Sequence, residues 1–226
     1  MKWSNRLPSQ SEVYNLKKIE IVRAAARFFS RFGYHGTTLA DVAVDLGVTK
    51  QALYYYYSDK QSLLFACAIA AHRGALDILE EASAQKLSGS EKLANLLRHY
   101  AIHVADGNLQ SIMFLDSSAL KPKQLAEVMD LRDKFDIGIR KIVEEGVADQ
   151  SLRNGDPKMM SFSALGAVNW ISRWYKPEGS LPIGEAAATI VDFVMGGIAA
   201  PLSGKRSERL IKGHADSKRP NSSKGP

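Results

Sequence analysis

Between Thr38 and Lys60 the apolar residues Leu39, Val42, Ala43 and Leu46 recur at i, i+3, i+4 and i+7, which predicts a helix of about two turns with a single apolar stripe. Thr38 stands where its hydroxyl can cap that helix, and Asp41, three residues on, completes a capping box with aspartate in the usual glutamate place. Gly47 ends the helix, because a residue without Cβ takes the left-handed conformation that a sharp turn demands, and Thr49 restarts helix as a second cap. In the second helix Leu53 is expected to join Val48 and the first stripe in a small core. That arrangement turns Lys50, Gln51, Tyr54 and Tyr55 outward. Four consecutive tyrosines cannot share one core at helical spacing, so Tyr57 is expected to be buried while Tyr54, Tyr55 and Tyr56 keep their hydroxyls in water.

Two short helices about a tight turn, the second with a polar, aromatic and basic face, are the parts of a helix-turn-helix, which lays its second helix in the DNA major groove. Gln51 has the amide geometry for an adenine edge, and Lys50 can reach a guanine or a phosphate. Thr38, Thr49, the tyrosine hydroxyls and Lys60 are suited to hold the backbone rather than read sequence.

The remaining pattern is helical, with no alternating strands and no internal repeat, and predicts an all-α chain. A first helix is expected over Leu16 to Phe32 and a long one from Asp59 to Glu81. Further helices follow over Glu91 to Ala105, Asn108 to Leu120 and Pro122 to Asp149. Asn154–Gly155 marks a turn, and Asp156–Pro157 opens a helix to Tyr175. The last helix covers Ile183 to Ala200. The last two helices mix small with large apolar residues, which suits close helix packing.

Composition narrows the class. With 226 residues and 45% hydrophobic content the chain can build one small and one medium helical domain. No stretch is expected to span a membrane, the apolar tract Ile190 to Pro201 being broken by Asp192 and Gly196–Gly197. The segment MKWSNRLPSQSE lacks the apolar core of a signal peptide, so a cytoplasmic protein is expected. Cys67 sits in the apolar run LLFACAIAA and reads as core packing. The net charge of +6 divides unevenly: residues 1–60 carry +4, residues 61–202 carry −3, and residues 203–226 carry +5. A basic head gains phosphate affinity by counterion release while an acidic body is repelled from the duplex, so the charge orients the molecule on DNA. The polar, basic stretch 203–226 is expected to be disordered.

The segment GVTKQALYYYYSDKQSLL, preceded by AAARFFSRFGYHGTTLADVA, closely resembles the N-terminal domain of the tetracycline-repressor (TetR) family. The resemblance covers roughly Asn15 to Ala75. It implies a three-helix DNA-binding domain over 15–75, with the helix-turn-helix at 38–57, behind a short N-terminus (1–14). Phe28, Phe29 and Phe32 fit the core of its first helix. It also implies DNA contacts from Thr38, Thr49, Lys50, Gln51, Tyr54, Tyr55, Tyr56 and Lys60. Position 51 is commonly small in the family, so Gln51 either adds a base contact or points along the backbone. The resemblance further implies that 76–202 forms an effector-binding and dimerisation domain, that the two last long helices pair with those of a second subunit, and that the homodimer binds a palindromic operator as a repressor. Two heads in adjacent groove turns double the base contacts that one short helix makes.

For the effector, His99, His103, Met113, Phe114, Phe135, Trp170, Arg173 and Trp174 are candidate pocket residues. The segment NWISRWYKPEG (169–179) resembles a motif of TetR-like regulators of lipid and steroid breakdown that respond to acyl-CoA thioesters. By that resemblance Arg173 and Lys176 would neutralise a phosphate or carboxylate while a tryptophan lines an apolar chain. A neutral drug or aromatic metabolite is the alternative effector, and a non-specific DNA-binding structural protein is the alternative of another class. Enzymatic readings find little support: His99, His103 and Asp106 share one face, but HExxH, a cysteine pair, a phosphate loop and a GxSxG elbow are all missing from the sequence, so neither a metal nor a cofactor is expected.

Overall fold

The computed structural model describes residues 9–105 and 119–200. The tail 203–226, the outermost N-terminus and most of the helix expected over Asn108 to Leu120 lie outside the described residues, as do Met113, Phe114 and Asp106. Within the described residues the chain is all-α, with no strand beyond an isolated bridge between Leu152 and Ala199.

Helix α1 (Gln10–Gly36) begins well before the expected Leu16, because Ser9 and Glu12 form a capping box: the Glu12 amide donates to Ser9 Oγ (3.2 Å) and the Ser9 amide donates to the Glu12 carboxylate (2.6 Å). Those bonds hold the Glu12 carboxyl below its usual range. Near its end α1 kinks at Gly33, whose φ of 71° favours glycine. Helix α2 (Leu39–Asp45) carries the Thr38–Asp41 box, with the Asp41 amide donating to Thr38 Oγ1 at 3.2 Å. Gly47 (φ 65°) makes the turn, and Thr49 caps α3 (Lys50–Tyr56) by accepting from the Ala52 amide at 3.1 Å. Asp59 and Ser62 then box the start of α4 (Lys60–Ser83).

These four helices enclose one core: Ile21, Ala24, Ala25 and Phe29 of α1 meet Leu39, Val42, Ala43, Leu53 and Tyr57, closed by Leu63, Leu64 and Cys67 of α4. Burial pushes the Cys67 thiol well above its ordinary range, which suits packing. Two expectations fail here. Val48 is 44% exposed, because Leu53 fills the place between α2 and α1 while Val48 stays in the turn beside an open groove lined by Leu16 and Leu46. Phe32 is half exposed: it follows Phe28 by four residues on the same face and packs against that ring (5.8 Å) and under Arg31, whereas Phe29 points inward.

The body adds α5 (Gly89–Ala105), α6 (Pro122–Ala148), α7 (Pro157–Asn169), α8 (Ile171–Trp174) and α9 (Ile183–Ile198) around a second core that contains Leu79, Leu93, Leu96, Leu97, Ile139, Ile142, Val168 and Val191. The start of α5 is locked to the end of α6, where the Gly89 amide donates to Asp149 (2.7 Å) and the Ser90 amide to Ser151 Oγ (2.9 Å). A Cβ on Gly89 would lie 2.1 Å from the Gly146 backbone, so this crossing depends on two glycines. The helix expected from Pro157 to Tyr175 breaks at Trp170: the Arg173 amide bonds the Trp170 carbonyl at i+3, and the Ser172 hydroxyl donates to the Asn169 carbonyl, which draws that acceptor away from a regular ladder.

Helix α4 belongs to both cores. Contrary to expectation, it is long and apolar enough to cross a bilayer by length and composition, yet its apolar face packs on α1, α5 and α6.

Candidate DNA-binding surface and effector cavity

The outer face of α3 assembles what the sequence predicts. Lys50, Gln51, Tyr54 and Tyr55 are exposed, with Tyr55 at 73%, and Thr38 and Thr49 stand exposed at the two caps. The Lys50 ammonium lies 5.8 Å from the Tyr54 ring centre. Tyr57 is buried at 9%, and desolvation pushes its hydroxyl up to about 12. Tyr56 is half-buried between this face and α1.

Two of the residues expected to hold the DNA backbone, Thr38 and Lys60, are already engaged within the protein. The Thr38 hydroxyl donates to the Asp41 carboxylate (2.7 Å) and is thus committed to its own cap, whereas the Thr49 hydroxyl accepts from the Ala52 amide, a bond that does not use its own proton. The Lys60 ammonium donates to the carbonyls of Tyr34 (2.8 Å) and Thr37 (3.0 Å) and stands 4.3 Å from the Tyr34 ring. Tyr14, which is not among the contacts expected from the sequence, packs its ring edge-on against Tyr55 (6.0 Å) and tilted against Tyr56 (5.0 Å), with the Lys18 ammonium 5.7 Å from the Tyr14 ring. The Ser9–Glu12 box is the signal that places Tyr14 on α1 beside the tyrosine run.

In the body a cavity of about 250 Å³ opens among α4, α5, α6 and α7. Phe135, Tyr100 and Leu165 form apolar walls, and His72, Arg132, Asp136 and Asn169 bring polar atoms. Tyr100 donates its hydroxyl to Asn169 Oδ1 (3.1 Å), leaving the Asn169 amide nitrogen as a donor. Burial favours the neutral forms here. It lowers the pKa of His72, whose Nδ1 bonds the Ala68 carbonyl at 3.0 Å, and raises those of Tyr100 and Asp136, with Arg132 opposing the rise at Asp136.

Of the expected pocket residues that lie among the described ones, Phe135 lines this cavity, and His99, His103, Trp170, Arg173 and Trp174 do not. His99 is exposed and bonds the Asn95 carbonyl one turn back. His103 faces α4, where Nε2 meets the Ala71 carbonyl at 2.9 Å across Gly74, a position at which a Cβ would strike the imidazole. Trp170, Arg173 and Trp174 lie exposed around the break after α7. Periodicity could not show this, since it marks a face as apolar without saying which neighbour meets it. Among the described residues no three His, Cys, Asp or Glu side chains are grouped to hold a metal.

A second apolar surface lies on α7 and α9, where Phe162, Trp170 and Phe193 (84%) are exposed, and the would-be Cβ positions of Gly166, Gly196 and Gly197 meet no atom within 4 Å.

A recognition helix with free polar and aromatic groups, set on a separate helical body, defines a DNA-binding regulator of the helix-turn-helix class. Residues 21–67 match the family described as bacterial regulatory proteins, tetR family, and residues 86–198 match the tetracyclin repressor-like C-terminal domain. The chain belongs to the tetR family of transcriptional regulators. It is similar to the HTH-type transcriptional repressor KstR2 of Rhodococcus jostii, 25% identical, with 82% of this chain and 92% of that one covered. Two solved structures share the fold. The TetR family transcriptional regulator PfmR of Thermus thermophilus has a TM-score of 0.71 at 26% identity over 78% of this chain and 97% of its own. AibR in complex with isovaleryl coenzyme A and operator DNA has a TM-score of 0.71 at 25% identity over 82% of this chain and all of its own.

Proposed function

We propose that this chain is a repressor that binds a palindromic operator as a homodimer and releases it when a small, largely apolar effector fills the cavity of the body. The observation that carries this reading is the position of α4, which supplies His72 and Ala75 to the cavity wall and Leu63 and Leu64 to the core beneath the helix-turn-helix. A ligand that prefers one setting of α4 lowers DNA affinity by its own difference in affinity between the two settings. Lys50 and Gln51 read bases, and Thr49, Tyr54, Tyr55 and Tyr56 hold the backbone. The open face of α7 and α9, with Phe193 and three uncovered glycines, supports pairing with a second copy.

The cavity favours a short acyl group. Its 250 Å³ lies just under the roughly 300–1,000 Å³ usual for ligand clefts, and its walls combine aromatic rings with a few donors. An acyl-CoA thioester therefore inserts its acyl end and leaves the nucleotide outside, near the exposed Arg132. The isovaleryl coenzyme A named with AibR supports this choice of class.

The test is fluorescence anisotropy on a palindromic operator and on scrambled DNA, followed by titration with short-chain, branched and long-chain thioesters, free acids and coenzyme A alone. Operator preference and release by short thioesters are expected. Equal affinity for scrambled DNA overturns the regulator reading, while release by aromatic acids but by no thioester overturns the acyl-CoA assignment alone.

A further inference from the structure

The first residue of α4 is a lysine at the end of a helix where a cation is least favoured, since the helix N-terminus carries the positive end of the dipole. Its placement makes sense from the opposite side. The last carbonyls of α1 have no partners within their own helix and carry its negative end. The Lys60 ammonium fills that gap, donating to the carbonyls of Tyr34 and Thr37 and resting over the Tyr34 ring. The same corner is tied again by Thr37, 1% exposed, whose hydroxyl donates to the Gly33 carbonyl at the kink (2.8 Å). The next residue is Thr38, the cap of α2.

We propose that Lys60 is a positioning residue for DNA binding, pinning the α1–α2 corner to the first turn of α4 through its bonds to the Tyr34 and Thr37 carbonyls. The pin gives the helix-turn-helix its setting relative to α4. Asp59 and Ser62 fix Lys60 at the start of α4, Lys60 fixes the corner, and the corner fixes the Thr38 cap. Movement of α4 must then break two charge-assisted bonds or carry α2 and α3 along. This last step rests on the proposed role of α4 in effector response; the pin itself does not.

A phosphate clamp and a pin differ in what they do to free protein. A lost phosphate contact lowers the salt dependence of binding by about one counterion and leaves the unbound head intact. A lost pin loosens the unbound head and leaves the salt slope alone. The experiment uses the full chain with a palindromic operator, comparing Lys60→Met, Lys60→Arg and Lys50→Met by binding across a salt series and by amide exchange of residues 34–42 without DNA. For Lys60→Met we expect about a tenfold or greater loss of affinity, an unchanged salt slope and faster exchange at the corner. Arginine, which retains donors, should recover most of the affinity. If Lys60→Met melts the head so far that binding cannot be titrated, the pin is supported, because a phosphate clamp has no part in the free protein's stability. A slope lowered by about one with exchange unchanged overturns the proposal, as does no change in either. Lys50→Met separates the two readings: an unchanged slope there fails the proposed DNA surface and not the pin.

Discussion

The head and the body are both built from helices joined by short turns, but they use their polar residues in opposite ways. In the head, polar groups serve corners: Ser9, Thr38, Thr49 and Asp59 cap helices, and Lys60 closes the end of α1, which leaves the outer face of α3 free. In the body the notable polar groups turn inward, with His72, Asp136 and Asn169 lining a cavity whose walls are otherwise apolar. A surface that must grip a fixed shape is stiffened by short-range bonds. On the proposed reading the cavity receives its guest with part of its polar lining still unspent, the Asn169 amide nitrogen among it.

The largest effect that probes this division is expected from Leu53→Ala. Leu53 is 1% exposed and is the residue that seats α3 on α1 and α2, so its truncation should cost about 2–5 kcal/mol in the head. If head and body are distinct cooperative units, calorimetry should resolve an early transition carrying the head, operator binding should vanish, and effector binding to the body should persist. A single transition lowered as a whole would show that α4 welds the two cores into one unit.

A pH titration sharpens the same contrast from the side of the body. His72 is buried, and desolvation holds its pKa below the ordinary 6.5, so the unfolded chain takes up a proton that the folded body resists. The stability that neutral His72 permits is therefore complete above about pH 6.5 and is lost as the pH falls through the lowered folded value. The thermal midpoint of the body should drop between pH 7 and pH 5, and His72→Gln should flatten that drop. An unchanged slope in the variant assigns the acid sensitivity to another group.

How far the sequence is legible follows the same line. The helix-turn-helix can be read because its signals are local: a cap, an acid three residues later, a glycine at the turn and a tyrosine at the fourth place of a run. The early start of α1 is equally local, but its capping box is a quieter signal than the apolar stripe beginning at Leu16. The cavity cannot be read. His103 looks like a pocket or metal residue on its own helix, and only the absence of a side chain at Gly74, on another helix, lets it spend its ring nitrogen on Ala71. His72 and Asn169 become cavity residues because α4, α6 and α7 meet there, a matter of tertiary packing that no spacing within one helix encodes.

The smallest effect worth measuring lies in the head, where Tyr14 meets Tyr55. Tyr55 is largely exposed, and an exposed ring has no fixed orientation unless something stops its rotation. Tyr14 provides such a stop edge-on at 6.0 Å, while Tyr56 flanks it at 5.1 Å. An aromatic pair of this kind contributes about 0.5–1.5 kcal/mol beyond burial. On that basis Tyr14→Ala should weaken operator binding by about two- to tenfold. Tyr14→Phe should bind as the wild type does, because the contact is made by the ring. In a double-mutant cycle, Tyr14→Ala and Tyr55→Ala should be less damaging together than the sum of their separate losses, since removing Tyr55 removes what Tyr14 orients. Strict additivity would mean that the two tyrosines meet the duplex independently, and the stiffening that separates the head from the body would then stop at the helix caps and the α1–α2 corner.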